Sequence, residues 1–396
     1  MVYPRFAEAL IRKRLKQFPI VAITGPRQSG KTTLAKKIFF KKPYRTLEDP
    51  DQRSLAEEDP KAFLQQFPEG GIIDEVQRVP DLLSYLQGVV DGRQKKGEFI
   101  LTGSQQFPLL SKITQSLAGR IFIQHLHPME YLETKAFYLH KRSWEEVVYQ
   151  GGFPSVQSQP EVVTPWMNSY ITTCLEKDIR DLIRVKSLSD YQRFLQVMAG
   201  RSGQILNLSQ VGSDLGISYH TVQEWLNVLE VSGLAYRLRP YYANITKRLT
   251  KSVKFYFLDT GLLCRLLGMT SSKQILTHPL KGAIFETWVV SEVLKGIHHR
   301  DLSIDLFYYH EQSGVEVDLL LKNGLYWKRI EIKSGQTVHP DFFLNLLKTD
   351  RIPDLGGGPS TVVYTGEENQ DRSKAQVVSW RKLTEMMSFN SSDKIA

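Results

Sequence analysis

Cysteines and long apolar runs are what this sequence has least of. Its 396 residues include only Cys174 and Cys264, which lie far apart and without metal-ligating neighbours. This excludes a disulfide framework and a cysteine-based zinc site. No stretch reaches the roughly 18 consecutive apolar residues of a membrane span, and the basic, amphipathic first residues lack the apolar run of a secretory signal. We therefore expect a cytoplasmic protein without a membrane partner, long enough for about two or three separately cored domains.

Acidic residues are missing from two long stretches, although the net charge of the chain is only +9. Residues 9–47 contain eleven basic residues and no acid, and residues 231–258 contain six basic residues and no acid. Such stretches predict an acidic polymer, such as DNA, as a partner. The alternative is that the first stretch serves a bound nucleotide and the second is a solvated face.

The most specific motif runs from Gly25 to Thr32 and matches the pattern Gly-x4-Gly-Lys-Thr. An apolar stretch before it predicts a strand, and the residues after it predict a helix. Glycine lets the backbone approach phosphate closely, and N–H groups of the loop and helix start point at the phosphate charge. Lys31 is expected to bridge the β- and γ-phosphates of ATP, and the Thr32 hydroxyl to hold Mg2+. The predicted nucleotide contacts are Gly25, Pro26, Arg27, Gln28, Ser29, Gly30, Lys31, Thr32 and Thr33.

An apolar strand that ends in two carboxylates, Asp74 and Glu75, follows the P-loop by about forty residues. Ligands gather at the carboxyl ends of parallel strands, so these acids are expected beside the P-loop. We predict that Asp74 binds Mg2+, and that Glu75 orients and deprotonates the water that attacks the γ-phosphate. The alternative is an ordinary strand end.

Further residues of this half of the chain are candidates for sensing or stabilising the γ-phosphate. A third strand ends at Thr102-Gly103-Ser104, and of its two hydroxyls we prefer Ser104 as the sensor, the alternative being a structural turn. Arg120 is the first candidate to stabilise transition-state charge, from its own or a neighbouring subunit, and Arg180 and Arg184 are second choices. Arg120 could instead cap a helix C-terminus.

The spacing within residues 207–234 predicts a helix-turn-helix, with helices over residues 209–215 and 219–230. Four residues of the second helix should face inward: Val222, Trp225, Leu226 and Leu229. Five are left outside, where a reader of DNA bases would present its side chains: Tyr219, His220, Gln223, Glu224 and Asn227. The acid-free stretch that follows predicts two strands and a basic wing, containing Arg237, Arg239, Lys247, Arg248, Lys251 and Lys254. The alternative is a lid that packs on protein.

The last part of the chain contains a pattern typical of metal-dependent nucleases. Asp318 is followed thirteen residues later by Glu331 and then by Lys333, all on predicted strands. Two carboxylates could hold Mg2+, and the lysine could assist the attacking hydroxide. The alternative is ordinary strand alternation with surface charges.

Taken together and in order, the motifs above, with Gly151-Gly152-Phe153-Pro154 and Lys254-x-Tyr256-x-Leu258-Asp259-Thr260-Gly261, resemble a prokaryotic ATPase family. Its members join an AAA-like P-loop module to a C-terminal domain of unassigned function. The resemblance implies an α/β protein: an αβα P-loop core (residues 1–135), a helical linker (136–200), a winged helix (201–275) and a restriction-endonuclease-like domain (276–396). It implies ATP hydrolysis in a bacterial or archaeal cytoplasm, and Glu286 joins Asp318, Glu331 and Lys333 in the match to the nuclease-type core.

Two functions follow as hypotheses. In the first, ATP and Mg2+ control a DNA-binding C-terminal half that could also cut DNA in a Mg2+-dependent reaction. In the second, the chain is a nucleotide-dependent switch that binds a protein partner, and its nuclease-like domain is catalytically silent. Under either hypothesis the chain could form a homo-oligomer.

Overall fold

Two β-sheets organise the fold, one of five strands and one of nine within the described residues. We analysed a computed structural model, which describes residues 3–103, 116–135, 138, 141–175, 187–241, 253–311, 313–352, 355 and 358–387. None of the helices in these ranges combines the length and apolar character needed to cross a lipid bilayer.

The five-stranded sheet is parallel and has the order β2-β3-β4-β1-β5. Its strands are β1 (Ile20–Thr24), β2 (Tyr44–Thr46), β3 (Gly71–Asp74), β4 (Phe99–Gly103) and β5 (Ile121–His125). The P-loop, Asp74 and Gly103 all follow or end strands at the carboxyl edge. Since β4 lies between β1 and β3, this order brings three separate predicted motifs to one edge of one sheet.

Helices cover both faces of this sheet, as a buried parallel sheet requires. They span Ala7–Leu15, Lys31–Ile38, Pro50–Glu58, Pro60–Gln65 and Leu82–Arg93. Alternate residues of β1 enter different cores: Ile20 and Ala22 pack in one apolar cluster, whereas Val21 and Ile23 pack in the other. The N-terminal helix packs on this module through buried Ile11.

The segment after β5 is helical. Its helices span Tyr131–Lys135, Trp144–Gln150, Pro154–Ser158, Val163–Tyr170 and Leu188–Gly200, with a π-helical turn at Ile171–Leu175. The helix Trp144–Gln150 ends before Gly151 and Gly152, where the Asp259 side chain lies close to the backbone. Its carboxylate accepts a hydrogen bond of 2.7 Å from Gly152 N, and a Cβ on Gly151 would lie 2.4 Å from Asp259 Oδ1. This contact joins two of the sequence motifs at one point.

The predicted helix-turn-helix is present as helices Leu208–Leu215 and Tyr219–Val231, and the four residues predicted to face inward are buried. The strands around these helices, however, do not form a separate winged-helix sheet. They are β6 (Gln204–Ile205), β7 (Ala235–Pro240), β8 (Lys254–Phe257), β9 (Asp305–His310), β10 (Glu316–Asn323), β11 (Tyr326–Lys333), β12 (Ser360–Tyr364), β13 (Gln370–Asp371) and β14 (Gln376–Ser379). The strands pair into one sheet in the order β13-β14-β12-β11-β10-β9-β7-β8-β6.

This sheet runs across the predicted boundary at residue 275 because β7 pairs in parallel with β9, Arg239 opposite Phe307. One apolar cluster likewise continues from Tyr131 to Met387. Further helices span Thr260–Leu266, Gln274–Thr277, Lys281–Arg300 and Leu344–Thr349, with 3-10 turns at Val76–Arg78, Pro160–Val162, Pro340–Phe343 and Trp380–Met387. The linker, the helix-turn-helix and the C-terminal domain therefore share one core.

Candidate functional site

The P-loop holds an irregular backbone between β1 and the helix Lys31–Ile38. Gly25 and Gly30 have φ values of 151° and 95°, and Gln28 adopts a left-handed φ of 61°. A side chain on Gly25 would clash, because its Cβ would lie 2.2 Å from the carbonyl oxygen of Leu126. The loop therefore requires glycine where the sequence motif has it, and its N–H groups open toward the helix start, which favours an anion.

The two side chains expected to act on phosphate and metal point into this loop. Lys31 is 5% exposed, and its Nζ donates to the carbonyl oxygens of Gly25 (2.9 Å) and Pro26 (2.8 Å). Thr32 Oγ1 donates to both carboxylate oxygens of Asp74, at 3.0 and 3.2 Å. A threonine hydroxyl beside a carboxylate is a set of hard oxygen donors, and this chemistry suits Mg2+. Thr32 and Asp74 therefore fit the metal that P-loop proteins use.

Two more hydroxyls contact Asp74. Tyr44 Oη donates to Asp74 Oδ2 at 2.8 Å, and Thr102 Oγ1 makes a short hydrogen bond to Asp74 Oδ1. Burial and then the bond to Asp74 raise the pKa of the Tyr44 phenol, so this group remains a donor. Both neighbours come from the adjacent strands β2 and β4. They hold the buried carboxylate at the end of β3 in one orientation.

Glu75 lies at a strained position directly after β3. Its φ is 56°, a left-handed value that is uncommon for residues other than glycine and that clusters at functional sites. Its carboxylate accepts a hydrogen bond from Gln77 Nε2. Because of this left-handed turn, Glu75 does not continue the direction of β3. The side-chain amide of Gln77 holds its carboxylate.

A cavity of about 210 Å³ lies next to the P-loop helix. It is lined by Tyr3, Arg5, Gly30, Thr33, Leu34, Pro154, Ser155 and Ser158. The lining combines P-loop residues with the chain start and with the helix that follows Gly151-Gly152. Its mixture of apolar and hydroxyl groups can accept the flat ring and sugar of a nucleoside.

Arg5 connects the P-loop to a buried network. Its Nη1 donates to the Ser29 carbonyl (2.8 Å), its Nη2 to the His127 carbonyl (2.7 Å), and its Nε to Glu133 (3.1 Å). The side chains of Arg5 and Glu133 are only 5% and 1% exposed. The Glu133 carboxylate also accepts from Phe6 N at 2.6 Å. This buried ion pair fixes one side of the P-loop.

The helix-turn-helix also contacts the P-loop. Gly233, in the turn after the second helix, has a φ of 71°, and a Cβ there would lie 3.0 Å from Pro26 Cδ. Tyr170 of the linker donates from its hydroxyl to the Arg27 carbonyl at 3.3 Å. A residue of the linker and a residue after the helix-turn-helix thus lie against the loop that would surround the phosphates.

The predicted Arg120 does not reach this site within its own subunit. It precedes β5 at the amino edge of the sheet, where its guanidinium pairs with Asp91 at 2.6 and 2.9 Å and donates to the Ala118 carbonyl. The P-loop lies at the carboxyl edge, a strand of five residues away. The prediction of an own-subunit role for Arg120 is wrong for this reason. Ser104, Arg180 and Arg184 lie outside the described residues.

The four predicted residues of the C-terminal domain do converge. Lys333 Nζ lies 3.8 Å from Asp318 Oδ2 and contacts Glu331 Oε2 closely. A second lysine, Lys254, lies 3.0 Å from Glu286 Oε1 and 3.9 Å from Asp318 Oδ1. Burial, and then Asp318, raise the pKa of Glu331.

Lys254 corrects one sequence-based interpretation. As part of the acid-free stretch it was expected on a basic wing, but its side chain is 3% exposed and turned into the acid cluster. Of the same stretch, Arg237 contacts Glu230 and Asn227, and Arg239 is exposed. The other three basic residues, Lys247, Arg248 and Lys251, lie outside the described part of the chain.

Among the described residues, one group of three side chains brings its ligand atoms within 4.8 Å of one another, and it is in neither predicted site: Glu130, Glu133 and His299. His299 Nε2 accepts a hydrogen bond from His127 N at 3.2 Å, so the proton of this ring is on Nδ1 and is donated to Glu130 at 2.7 Å. Burial lowers the pKa of His299 to about 3, which agrees with a neutral ring. Both ring nitrogens of His299 are therefore engaged in hydrogen bonds, and neither offers a free lone pair to a metal. The three side chains form a buried hydrogen-bond network.

Three residues that contact the two sites were not identified as site residues from the sequence: Tyr44, Arg5 and Lys254. Tyr44 starts β2, and its place beside Asp74 follows only from the strand order. Lys254 had a signal, because it is the one charged residue of a strand that is otherwise aromatic. Arg5 had none, because its partners Ser29 and Glu133 are far away in sequence.

Three family models match successive stretches of the chain. Residues 17–135 match the AAA domain. Residues 141–273 and 281–383 match two domains of unknown function, DUF8612 and DUF4143. The fold and the P-loop site together define an AAA-type P-loop ATPase module joined to a C-terminal domain of unassigned function, which confirms that part of the sequence-based prediction.

Two relatives match most of the chain. The uncharacterized protein Rv2008c of Mycobacterium tuberculosis is 30% identical over 373 residues, which cover 93% of this chain and 81% of the relative. The uncharacterized protein Mb2031c of Mycobacterium bovis matches equally. The chain belongs to the family of these proteins. Among solved structures, the Walker-type ATPase PABY2304 of Pyrococcus abyssi overlaps 66% of this chain and 94% of its own, with 14% identity and a TM-score of 0.46.

Proposed function

We propose that this protein is an ATP-hydrolysing switch whose nucleotide state controls DNA binding by the helix-turn-helix. One observation carries the proposal: the turn after the second helix packs on Pro26, within the loop that would wrap the phosphates. A change of the loop on nucleotide binding or hydrolysis therefore acts directly on the helix that would read DNA.

ATP binding is assigned to the P-loop and the adjoining cavity. Lys31 would leave the carbonyl oxygens of its own loop and neutralise the β- and γ-phosphates. The cavity beside Gly30 and Thr33 would hold the nucleoside. When bound through Thr32 and Asp74, Mg2+ supplies positive charge that offsets the charge developing on the phosphates.

Hydrolysis is assigned to Glu75. A general base must orient the attacking water and accept its proton, and a carboxylate next to the metal-binding acid suits this role. The amide of Gln77 holds the side chain, and the left-handed turn separates it from Asp74. The two acids thus take different tasks, one toward the metal and one toward the water.

DNA binding is assigned to the exposed start of the helix Tyr219–Val231. Tyr219 and His220 are exposed at its N-terminus, and that end of a recognition helix contacts base edges. Asn227, further along the same face, accepts a hydrogen bond from Arg237 at 3.1 Å and is less available. The basic residues of the proposed wing would add phosphate contacts.

Removal of three wing charges is expected to weaken DNA binding without changing the basal ATPase rate. The variant combines Lys247→Gln, Arg248→Gln and Lys251→Gln. The slope of log affinity against log salt should become shallower by about 0.9 for each DNA phosphate that these side chains no longer neutralise. The measurement is fluorescence anisotropy of labelled duplex DNA over a salt series, with ATP, with ADP and without nucleotide.

The matched control removes the same charge from the ATPase module. Lys61, Lys95 and Lys96 are exposed there, and their replacement by glutamine should leave the salt dependence unchanged. If the wing variant binds DNA as well as the unaltered protein at every salt concentration, the helix-turn-helix packs on protein instead.

A protein partner is the second candidate, and the position of Lys254 favours it. A lysine ammonium among the acids of the nuclease-like domain is what a catalytically silent domain would have. In that case the P-loop would still bind and hydrolyse ATP, but affinity for DNA would be low and independent of nucleotide.

A further inference from the structure

The acid cluster of the C-terminal domain surrounds one buried ammonium group. Lys254 Nζ lies 3.0 Å from Glu286 Oε1, contacts Glu316 Oε1 closely, and lies 3.9 Å from Asp318 Oδ1. These acids come from the helix Lys281–Arg300 and from β10, whereas the lysine comes from β8. The ammonium of Lys254 therefore faces three carboxylates, one from this helix and two from β10.

The backbone holds Lys254 firmly in this place. Lys254 is the first residue of β8, and β8 lies between two partner strands: Lys254 is opposite Ile205 of β6 and opposite Leu238 of β7. Moving the ammonium away would require a different rotamer in a packed site or the loss of strand pairing on both sides. The position is thus a property of the fold and not of a mobile surface side chain.

Each acid of the cluster has one oxygen in contact with a donor from the protein. Tyr256 Oη donates to Glu286 Oε1 at 2.6 Å, and Ile332 N donates to Asp318 Oδ2 at 2.8 Å. Lys333 contacts the remaining acid, Glu331, whose Oε1 is buried and has no hydrogen-bond partner among the described residues. Among those residues the acids also do not bring three ligand oxygens within 4.8 Å of one another.

We propose that Lys254 is the resident cation of this cluster: its ammonium takes the place that a divalent metal would take, and the folded C-terminal domain neither binds Mg2+ there nor cleaves DNA. Carboxylates this close repel one another unless a positive charge lies between them. A nuclease supplies that charge as a metal ion, whereas this chain supplies it from β8. The inference is independent of the ATPase assignment, because it uses no residue of the P-loop.

The test measures Mn2+ binding to the full chain without nucleotide, in an Asp74→Asn background that removes the acid of the P-loop site. With Lys254 present, electron paramagnetic resonance of free Mn2+ should detect no binding that depends on Asp318. The Lys254→Ala variant should bind about one Mn2+ per chain, because Glu286, Glu316 and Asp318 then lose the ammonium between them and turn free carboxylate oxygens toward the vacated position. Mn2+ should also raise its melting temperature, and chelation should lower it.

The matched control is Lys295→Ala. Lys295 is also a buried lysine with a 3% exposed side chain, and it lies 2.8 Å from Glu292. Its removal should destabilise the chain in the same way, but Mn2+ should not restore the melting temperature. Equal restoration of both variants would mean that Mn2+ acts unspecifically and would overturn the assignment of the cluster.

Three further results would overturn the proposal. The first is stoichiometric Mn2+ binding with Lys254 in place that Asp318→Asn abolishes, a measurement that does not require the alanine variant to fold. The second is cleavage of supercoiled plasmid by the unaltered chain with Mg2+ or Mn2+ that is lost in Asp318→Ala. The third is the absence of Mn2+ binding to a folded Lys254→Ala protein.

Discussion

Replacement of Glu75 by glutamine should lower the rate of ATP hydrolysis by about 100-fold to 10,000-fold, the usual contribution of a general base. Glutamine keeps the size of the side chain and can still accept a bond from Gln77, but it cannot take a proton from water. ATP affinity should stay the same, because Lys31, Thr32 and Asp74 are untouched. The measurements are steady-state phosphate release and equilibrium binding of a fluorescent ATP analogue.

Two comparison variants separate this role from general disturbance of the site. Lys31→Ala should lose tight ATP binding, since it removes the ammonium that would neutralise the phosphates. Glu58→Gln makes the same chemical change on an exposed glutamate that accepts a hydrogen bond from Ser54 Oγ at 2.8 Å, and it should keep the full rate. A Glu75→Gln protein that turns over ATP at the unaltered rate would remove Glu75 from the role of base.

The second large effect is expected from Glu133→Ala, which should lower the free energy of unfolding by about 3–5 kcal/mol. The substitution leaves the Arg5 guanidinium buried without its carboxylate, and it also removes the acceptor for Phe6 N. ATP affinity should fall as well, because Arg5 then no longer holds the Ser29 carbonyl in a fixed position. Urea unfolding followed by fluorescence, together with ATP binding, measures both.

A surface ion pair is the control for this prediction. Glu69 pairs with Lys95 at 3.4 Å, but both side chains are mostly exposed, so Glu69→Ala should change stability by about 0–1 kcal/mol. If Glu133→Ala is no more destabilising than Glu69→Ala, the buried network does not support the P-loop.

Local sequence signals predicted the P-loop, the Asp74 and Glu75 strand end, and the helix-turn-helix. Each of these depends on residues close together in the chain: a glycine pattern, an apolar strand that ends in acids, and helical spacing. Asp318, Glu331 and Lys333 were predicted from their spacing, and Glu286 from the family resemblance alone. The structure brings these residues together. A pattern of neighbouring residues is enough to predict a feature that depends on the local backbone, such as a loop, a strand end or a helix.

The contacts between distant segments could not be predicted in this way. The packing of Gly233 on Pro26 and the bond from Arg5 to Ser29 have no local pattern. The boundary placed at residue 275 ignored the pairing of β7 with β9, since strand pairing between distant segments has no signature in either segment alone. Lys254 was assigned to a basic surface from composition, which cannot distinguish an exposed lysine from one that faces buried acids.

The shared sheet has a practical consequence for how this protein is dissected. A fragment that starts at residue 276 would contain Glu286, Glu316 and Asp318 but would lack β8 and with it Lys254. Such a fragment would also expose the edge of β9 that β7 covers, and unpaired edges promote aggregation. Metal binding or DNA cleavage by the isolated fragment would therefore describe a site that the intact chain does not have, and the activity of this domain has to be measured on the whole protein.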